Sequence, residues 1–251
     1  MMKIGYCHLC FEEKELNKEH VPPRSAHNKN TRYVEVPFLG YLKSKDSASY
    51  KAEGRINQGG ITYNSFCIEC NRHLGDKYVN DYKESVRVGF EVMRKVENKK
   101  GCYDFHALVQ SPNKILKQIL SMFIAINKYS FAQNNKDLVE YVRNEQSKKL
   151  PDRFRVFTYL NNGPQFRYLP VFAKGSFDPP VIIICSEIAY PPFGFVLTIN
   201  YADSPSKYLT ELTNFKDYEE SQDNLLKFEM FELETHSQIS LDHKVKSDTL
   251  Q

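Results

Sequence analysis

The chain has 251 residues, of which 41% are hydrophobic and 26% charged, so it can bury the core of one large domain or two modest ones. No stretch approaches the roughly 18 consecutive apolar residues of a membrane-spanning helix, and the N-terminal residues lack the apolar core of a signal peptide. We therefore expect a cytoplasmic protein. In that reducing compartment, closely spaced cysteines bind metal more often than they form disulfides.

The net charge of +3 conceals an uneven distribution along the chain. Residues 1–100 hold 18 Lys and Arg against 13 Asp and Glu, and residues 101–200 hold 11 against 7. The last 51 residues reverse the balance, with 5 basic against 11 acidic residues. A basic first part is typical of a protein that meets a polyanion, although an excess this small also fits an ordinary soluble surface.

The first motif is Cys7-His8-Leu9-Cys10, and its spacing recurs in Cys67-Ile68-Glu69-Cys70. A Cys-x-x-Cys pair supplies two thiolates at a spacing that suits zinc, and a structural zinc site needs four ligands in a tetrahedron. Two pairs therefore indicate one shared zinc, which requires residues 11–66 to loop out and return to the metal. The alternatives are reduced core cysteines or a different metal.

Between the two pairs lies Glu19-His20, followed by Val21-Pro22-Pro23. The prolines fix an extended backbone, on which neighbouring side chains point to opposite sides. Glu19 and His20 can therefore face one cleft only if the strand is bulged or bent. A histidine beside prolines is otherwise a packed or solvated residue. Further along, residues 33–36 and 61–66 are predicted strands, separated by a polar loop at 44–54.

After the second pair, apolar residues recur every three or four positions and predict a long helix from about Asn71 to Val96. The positive end of its dipole and its unpaired amides favour an anion such as a phosphate. Because successive helical side chains differ by about 100°, Cys70 can face the zinc while Asn71 faces the cleft. An asparagine at a helix start is otherwise a cap. Our hypothesis is that one metal folds this region and a second one does chemistry in it.

Cys-x-x-Cys, an acid-His pair and Cys-x-x-Cys-Asn-x-x-Leu-Gly together resemble the HNH, or His-Me finger, nucleases, and most closely the phage recombination endonuclease VII type. The resemblance covers about residues 7–80. It implies a structural zinc, a histidine that acts as general base, and a catalytic Mg²⁺ or Mn²⁺. The matching residues are Cys7, Cys10, Cys67 and Cys70 for the zinc, His20 for the base, and Glu19 and Asn71 for the catalytic cation.

The sequence departs from the family pattern in two places. Glu19 stands where the family usually has aspartate, and its extra methylene favours a role through water over direct metal ligation. The insertion between His20 and Cys67 is longer than in the endonuclease VII type, which bears on the shape of the substrate. Asn64 and His73 are second candidates for the polar positions that other HNH proteins use.

Phosphodiester hydrolysis needs a nucleophilic water, an oriented phosphate and relief of charge on the leaving oxygen. A neutral His20 can take the proton of the water. The oxygens of Glu19 and Asn71 suit a hard cation, whereas thiolates select zinc. We predict that Arg24 and Arg72 contact phosphate groups, and the other Lys and Arg of the insertion are solvated or share that role.

Beyond residue 98 the sequence predicts a second α+β domain, over residues 99–235, with no chemistry that we can identify. Helices are predicted from Pro112 to about Ile126, over 136–146 and over 207–212. Strands are predicted at 154–160, 166–173, 181–187, 194–200 and 225–233, and the apolar run 181–185 is predicted to be central in its sheet. The tail, residues 236–251, is predicted to be disordered.

The predicted architecture is α+β, with a zinc-stabilised ββα-metal (His-Me finger) module in residues 1–98 and a mainly antiparallel sheet in the domain that follows. The predicted function is metal-dependent endonuclease activity on DNA, and the second domain is expected to bind a target or partner protein or to form a homo-oligomer. One alternative is an inactive zinc-binding module that contacts nucleic acid or protein, and another is an RNA-directed toxin with the same site. By analogy alone, such a nuclease suits phage defence or mobile-element biology.

Overall fold

The computed structural model describes residues 3–36, 54–95, 102–162, 165–177, 180–221, 224–233 and 243–246. Within these ranges, helices combine with strands that pair in antiparallel ladders, which confirms the predicted α+β class with mainly antiparallel sheets. None of the described helices has the length and apolar character that a membrane crossing requires.

The elements fall into an N-terminal group, a helical group and a C-terminal group of strands. The N-terminal strands are β1 (Lys3–Tyr6), β2 (Glu13–His20), β3 (Tyr33–Val36), β4 (Arg55–Asn57) and β5 (Thr62–Cys67). The helices are α1 (Ile68–Lys77), α2 (Val79–Lys95), α3 (Pro112–Ile126), α4 (Tyr129–Asn134) and α5 (Lys136–Arg143). The other strands are β6 (Cys102–Leu108), β7 (Phe154–Leu160), β8 (Gln165–Phe177), β9 (Pro180–Tyr190), β10 (Phe193–Ile199), β11 (Thr210–Glu211), β12 (Leu225–Phe231) and β13 (His243–Lys246).

A three-stranded sheet with the order β1-β2-β5 carries the first helix. Helix α1 begins at the residue after β5 ends and packs against both β2 and β5. Leu16 of β2, Phe66 of β5 and Leu74 of α1 are buried in the same core. Two antiparallel strands and the helix that follows them therefore form one packed unit, and this unit positions the candidate site.

An eight-stranded sheet has the order β11-β7-β10-β9-β8-β13-β3-β4. Strand β9 is fourth in this row, so the predicted central position of residues 181–185 is confirmed. Strand β13 lies between β8 and β3. Residues 243–246, which we predicted to be disordered, thus form a strand because they pair with distant strands that local composition does not reveal. The rest of the predicted tail, residues 236–242 and 247–251, lies outside the described residues, as does most of the predicted loop at 44–54.

Two other local predictions differ from the structure. Residues 207–212 do not form a helix, because Thr210 and Glu211 pair with β7 as strand β11. The predicted helix from Asn71 to Val96 is two helices that meet at Tyr78, whose φ is −126°. Tyr78 is fully buried, and its hydroxyl donates to the carbonyl of Val142, 2.7 Å away. This distant hydrogen bond fixes the joint between α1 and α2.

One large hydrophobic core runs through the described chain. It includes Leu74 from the first helix, Ile119 from α3 and Phe195 from β10. Strands β6 and β12 form a separate two-stranded ribbon whose inward side chains join the same core. The predicted domain boundary near residue 98 falls within residues 96–101, outside the described ranges, and stays a prediction.

Candidate metal centre and catalytic cleft

Four cysteines from the two Cys-x-x-Cys motifs converge in the structure, and we refer to Cys7, Cys10, Cys67 and Cys70 as the cysteine cluster. Their four Sγ atoms all lie within 4.8 Å of one another. Zinc held tetrahedrally by four thiolates at about 2.3 Å places its sulfurs about 3.8 Å apart, so a contraction of about 1 Å brings the cluster to that geometry. The cluster could therefore hold a metal ion such as zinc.

The surroundings of the cysteine cluster affect its thiols differently, although metal binding requires thiolate sulfur. The backbone N–H of Cys67 donates to Sγ of Cys7, with 3.3 Å between nitrogen and sulfur. Hydrogen bonding from the Cys70 thiol, with further backbone donors, lowers the pKa of Cys7 to about 4. Burial raises the pKa of Cys67 to about 11, and the hydrogen bond that the Cys70 thiol donates to Cys7 raises the pKa of Cys70. In the metal-free cluster, the neighbouring donors therefore stabilise one thiolate, at Cys7.

The end of helix α3 anchors the cysteine cluster. The Nδ1–H of His8 donates to the carbonyl of Ile124 at 3.0 Å, and the hydroxyl of Ser65 donates to the carbonyl of Ala125 at 2.6 Å. The last carbonyls of a helix have no partner within the helix, so these two side chains satisfy them. Ser65 is the one extra residue of β5 where the β2–β5 ladder shifts register between Asn17 and Lys18, and its carbonyl also accepts the amide of His8.

A cleft of about 490 Å³ opens between β2, the chain that follows it, and the first helix. We call this space the catalytic cleft, after the role that the sequence analysis predicted for its residues. Its lining includes Glu19, His20, Arg24 and Asn71, four of the residues that the sequence analysis selected. The remaining lining residues are Lys18, Pro23, Ser25, Lys29, Gly75 and Val79. Both side chains line the cleft, and the β2–β5 ladder is irregular directly before them, but the extra residue of that irregularity is Ser65 of β5 and not a residue of their own strand.

Glu19 is a buried carboxyl group with only 7% of its surface exposed. Burial alone raises the pKa of Glu19 to about 8. Within the described part of the chain, no side chain or backbone group forms a hydrogen bond or an ion pair with its carboxyl group. A buried carboxylate is costly unless it is paired or coordinates a metal, so the neutral acid is the favoured form of Glu19 at pH 7 when no cation is bound.

His20 has a defined proton arrangement. Its Nε2 lies 3.1 Å from the carbonyl oxygen of Gly59, and because a carbonyl can only accept, Nε2 carries the proton. In the neutral ring the other nitrogen, Nδ1, is then a free acceptor. A hydrogen bond that fixes the tautomer in this way leaves His20 able to take a proton at Nδ1.

Asn28 holds the loop that orients His20, and the sequence analysis missed it. This buried side chain donates through Nδ2 to the carbonyls of Pro22 and Ile61, at 2.8 and 3.0 Å, and accepts the amide of Ile61 through Oδ1 at 2.8 Å. Gly60 lies beside it with φ of +99°, and a Cβ there would come within 2.1 Å of the Asn28 carbonyl oxygen and 2.9 Å of Cδ2 of His20. Only glycine fits this position.

Asn71 lies in the first turn of α1, directly after the last cysteine of the cluster. Its side chain is half-buried and lines the catalytic cleft, whereas the cysteine beside it contributes to the cysteine cluster. The helix thus presents one residue to each site, as the difference of about 100° between successive helical side chains predicts.

Three other predicted residues lie outside the cleft lining. Arg72 is exposed and does not line the cleft, because it follows Asn71 on another side of the helix, and its predicted phosphate contact stays a prediction. His73 directs Nε2 to the carbonyl of Arg143 at 3.2 Å. Asn64 is exposed on β5 and is also absent from the lining. Lys18 and Lys29 instead supply positive charge to the cleft, and no local pattern distinguishes them from solvated lysines.

Comparison with protein-family models, with curated proteins and with solved structures finds no match to this chain. The assignment of function therefore depends on the geometry of the cleft and on the sequence motifs.

Proposed function

We propose that the protein is a metal-dependent endonuclease of the HNH type that hydrolyses phosphodiester bonds in DNA. The proposal depends on one observation, that two suitable groups line the same cleft. Glu19 supplies a buried carboxyl group without a hydrogen-bond partner among the described residues, and His20 supplies an imidazole whose acceptor nitrogen is Nδ1. The order of the motifs, which resembles the HNH nucleases, supports the same assignment.

In this proposal His20 is the general base. The Gly59 carbonyl keeps the proton on Nε2, so Nδ1 takes the proton of the attacking water, and the same hydrogen bond stabilises the imidazolium that forms. Asn28 and Gly60 act on the reaction only by fixing the position of the loop that carries the Gly59 carbonyl.

Glu19 and Asn71 supply the oxygens that would hold a divalent cation, and such oxygens suit Mg²⁺ or Mn²⁺. When bound, the cation would neutralise developing negative charge on the phosphate and on the leaving oxygen. The cysteine cluster would hold a structural zinc, which joins the hairpin between β1 and β2 to the start of α1. The zinc would thus fix Asn71 relative to β2 without taking part in the chemistry.

The charge of the catalytic cleft favours a polyanionic substrate. Lys18, Arg24 and Lys29 line it, and a neutral imidazole and a cation-bound carboxylate leave this excess of positive charge uncompensated. Phosphate contacts of this kind supply affinity without sequence information. Their presence beside the proposed base supports a nucleic acid as the substrate.

The test compares two histidine variants of the zinc-loaded protein. We expect His20→Ala to lower the rate of Mg²⁺-dependent plasmid nicking by about 100-fold or more, as the loss of a general base does. His73→Ala is the matched control, because this imidazole lies on the same helical segment as Asn71 but bonds to Arg143. Zinc content and thermal stability are measured in parallel. Cleavage by His20→Ala at the wild-type rate, with zinc retained, would contradict the assignment.

The alternative is a zinc-binding module that contacts nucleic acid or protein without catalysis, and the glutamate at position 19 favours it. A module of that kind would bind DNA with no dependence on Mg²⁺ or Mn²⁺ and would leave the DNA intact. Offering single- and double-stranded RNA in the same assay separates the third possibility, a toxin directed at RNA.

A further inference from the structure

A second cavity of about 320 Å³ lies on the other side of the α1–α2 joint from the catalytic cleft. Helices α2 and α3, the β6–β12 ribbon and the edge of the large sheet enclose it. Its apolar lining includes Phe105, Ala107, Ile119, Phe195 and Met230. We call it the apolar cavity, and the two linings share no residue.

The apolar cavity is unusual because most of its apolar lining is buried. Phe105, Ile119 and Met230, for example, are each at most 3% exposed. Protein interiors are close-packed, and voids larger than a water molecule are few. The volume falls at the lower end of the range of about 300–1,000 Å³ that is typical of small-molecule sites. A space of this size and lining is suited to a compact ligand with an apolar body.

The wall formed by α2 differs from the rest of the apolar cavity because it is polar. Asn80, Asp81, Glu84 and Ser85 line it from consecutive turns of that helix. Glu220 adds a third carboxyl group. A ligand that fills the cavity therefore meets an apolar surface along most of its length and carboxylates at one end.

Asp81 is the carboxyl group with the least compensation. Glu84 forms an ion pair with Arg87, and Glu220 forms one with Lys114 at 3.0 Å. No described Lys, Arg or His lies within 4 Å of the Asp81 carboxylate. Burial raises the pKa of Asp81, while the more distant charge of Lys114 and the Ser111 hydroxyl oppose the shift. The polar wall consequently presents a partly buried negative charge that a cationic group can pair with.

We propose that the apolar cavity binds a small cationic amphiphile, with an aromatic or aliphatic body among the buried side chains and an ammonium group at Asp81. This site is separate from the catalytic cleft and does not depend on the proposed nuclease activity. Charge complementarity selects the cation, because an anion would face the Asp81 carboxylate and a neutral polar end would gain no ion pair.

The test uses three probes with the same body, namely 4-phenylbutylammonium, 4-phenylbutanol and 4-phenylbutanoate, added to the full-length zinc-loaded protein. Binding is followed by calorimetry and by the shift of the unfolding temperature. We expect the ammonium probe to bind about tenfold more tightly than the alcohol, since a hydrogen-bonded charge typically contributes that much or more. Equal affinity of all three probes, or tighter binding of the carboxylate, would overturn the proposal.

Variants locate the binding. Asp81→Asn should remove the preference for the ammonium probe, whereas Asp76→Asn, an exposed position on α1 outside both cavities, should keep it. Ala107→Leu should fill the apolar cavity and abolish binding of all three probes, with an unfolding temperature that is unchanged or raised. If that variant does not fold, Ser85→Leu fills the same space from the helix. Wild-type binding in the folded filling variant, or an unaltered preference in Asp81→Asn, would show that the probes bind elsewhere and would refute the site.

Discussion

Replacing Glu19 by glutamine should stabilise the protein in the absence of a divalent cation. The folded-state pKa of Glu19 is raised from 4.5 to about 8, so the unfolded chain releases this proton earlier than the folded one. Stability is therefore lost as pH rises from about 4.5 to about 8. At pH 7 the cost is about 3 kcal/mol, at 1.36 kcal/mol for each unit between 4.5 and the working pH. Glutamine is neutral and removes this cost.

Part of the stability gained by removing the ionisable carboxyl group is offset, because the buried amide of glutamine also needs hydrogen bonds. We expect Glu19→Gln to raise the free energy of unfolding by about 1–3 kcal/mol at pH 7, which corresponds to about 2–12 °C in Tm for a chain of this size. At pH 5 the expected difference falls to about 1 kcal/mol or less. Urea unfolding of the zinc-loaded proteins without added Mg²⁺ at both pH values measures it.

In the same experiment with Mg²⁺, the wild type should become more stable than Glu19→Gln. A ligand that binds only the folded state stabilises it by about 1.4 kcal/mol for each tenfold excess over its Kd, so Mg²⁺ should stabilise the wild type and leave Glu19→Gln unchanged. Glu140→Gln, an exposed position on α5, is the control for a simple change in net charge. If Glu19→Gln is less stable than the wild type at pH 7 without cation, the carboxyl group has a partner in the folded state and our reasoning about the cleft is wrong.

Three further predictions concern positions away from the reacting atoms. Asn28→Ala should lower the free energy of unfolding by about 2–4 kcal/mol, because buried carbonyls and an amide lose their partner, and urea unfolding with a nicking assay should show both losses together. Gly60→Ala should be strongly destabilising because of its φ of +99°, whereas Gly75→Ala, where a Cβ meets nothing within 4 Å, should gain about 0.5–1 kcal/mol from helix propensity. Burial lowers the pKa of Lys117 to about 8 from 10.5, so the unfolded chain holds the proton longer and stability should rise between these pH values. Lys117→Met should flatten that rise in a series of unfolding curves, and an unchanged slope would contradict it.

The parts of the site that the sequence predicts well are those with local spacing. Two Cys-x-x-Cys pairs led to the expectation of four converging sulfurs, and the structure brings them within 4.8 Å. Asn71 directly follows the last cysteine, so its side chain is predicted to lie on a different side of the helix from the cysteine cluster. In the structure Asn71 lines the cleft with Glu19 and His20. Helical and strand patterns likewise located α3 and the strands from β7 to β10. The catalytic roles themselves stay predictions.

What the sequence did not reveal depends on contacts between distant residues. The apolar stripe continues through Tyr78, so the break between α1 and α2 becomes visible only with the hydrogen bond to Val142. Asn28 makes its bonds to Ile61, 33 residues away, and nothing in its neighbourhood distinguishes it from a loop asparagine. Strand β13 forms by pairing with β3 on one side and with β8 on the other, and these two strands are far apart along the chain.

The joint at Tyr78 gives two chemically unrelated spaces a common wall. Val79 faces the catalytic cleft, and the next two residues, Asn80 and Asp81, face the apolar cavity. A substitution in this short segment, or a molecule that shifts it, changes the shape of the catalytic cleft and of the apolar cavity together. Loss of cleavage in a variant of residues 79–81 can therefore result from displacement of this common wall. It does not by itself identify a catalytic group.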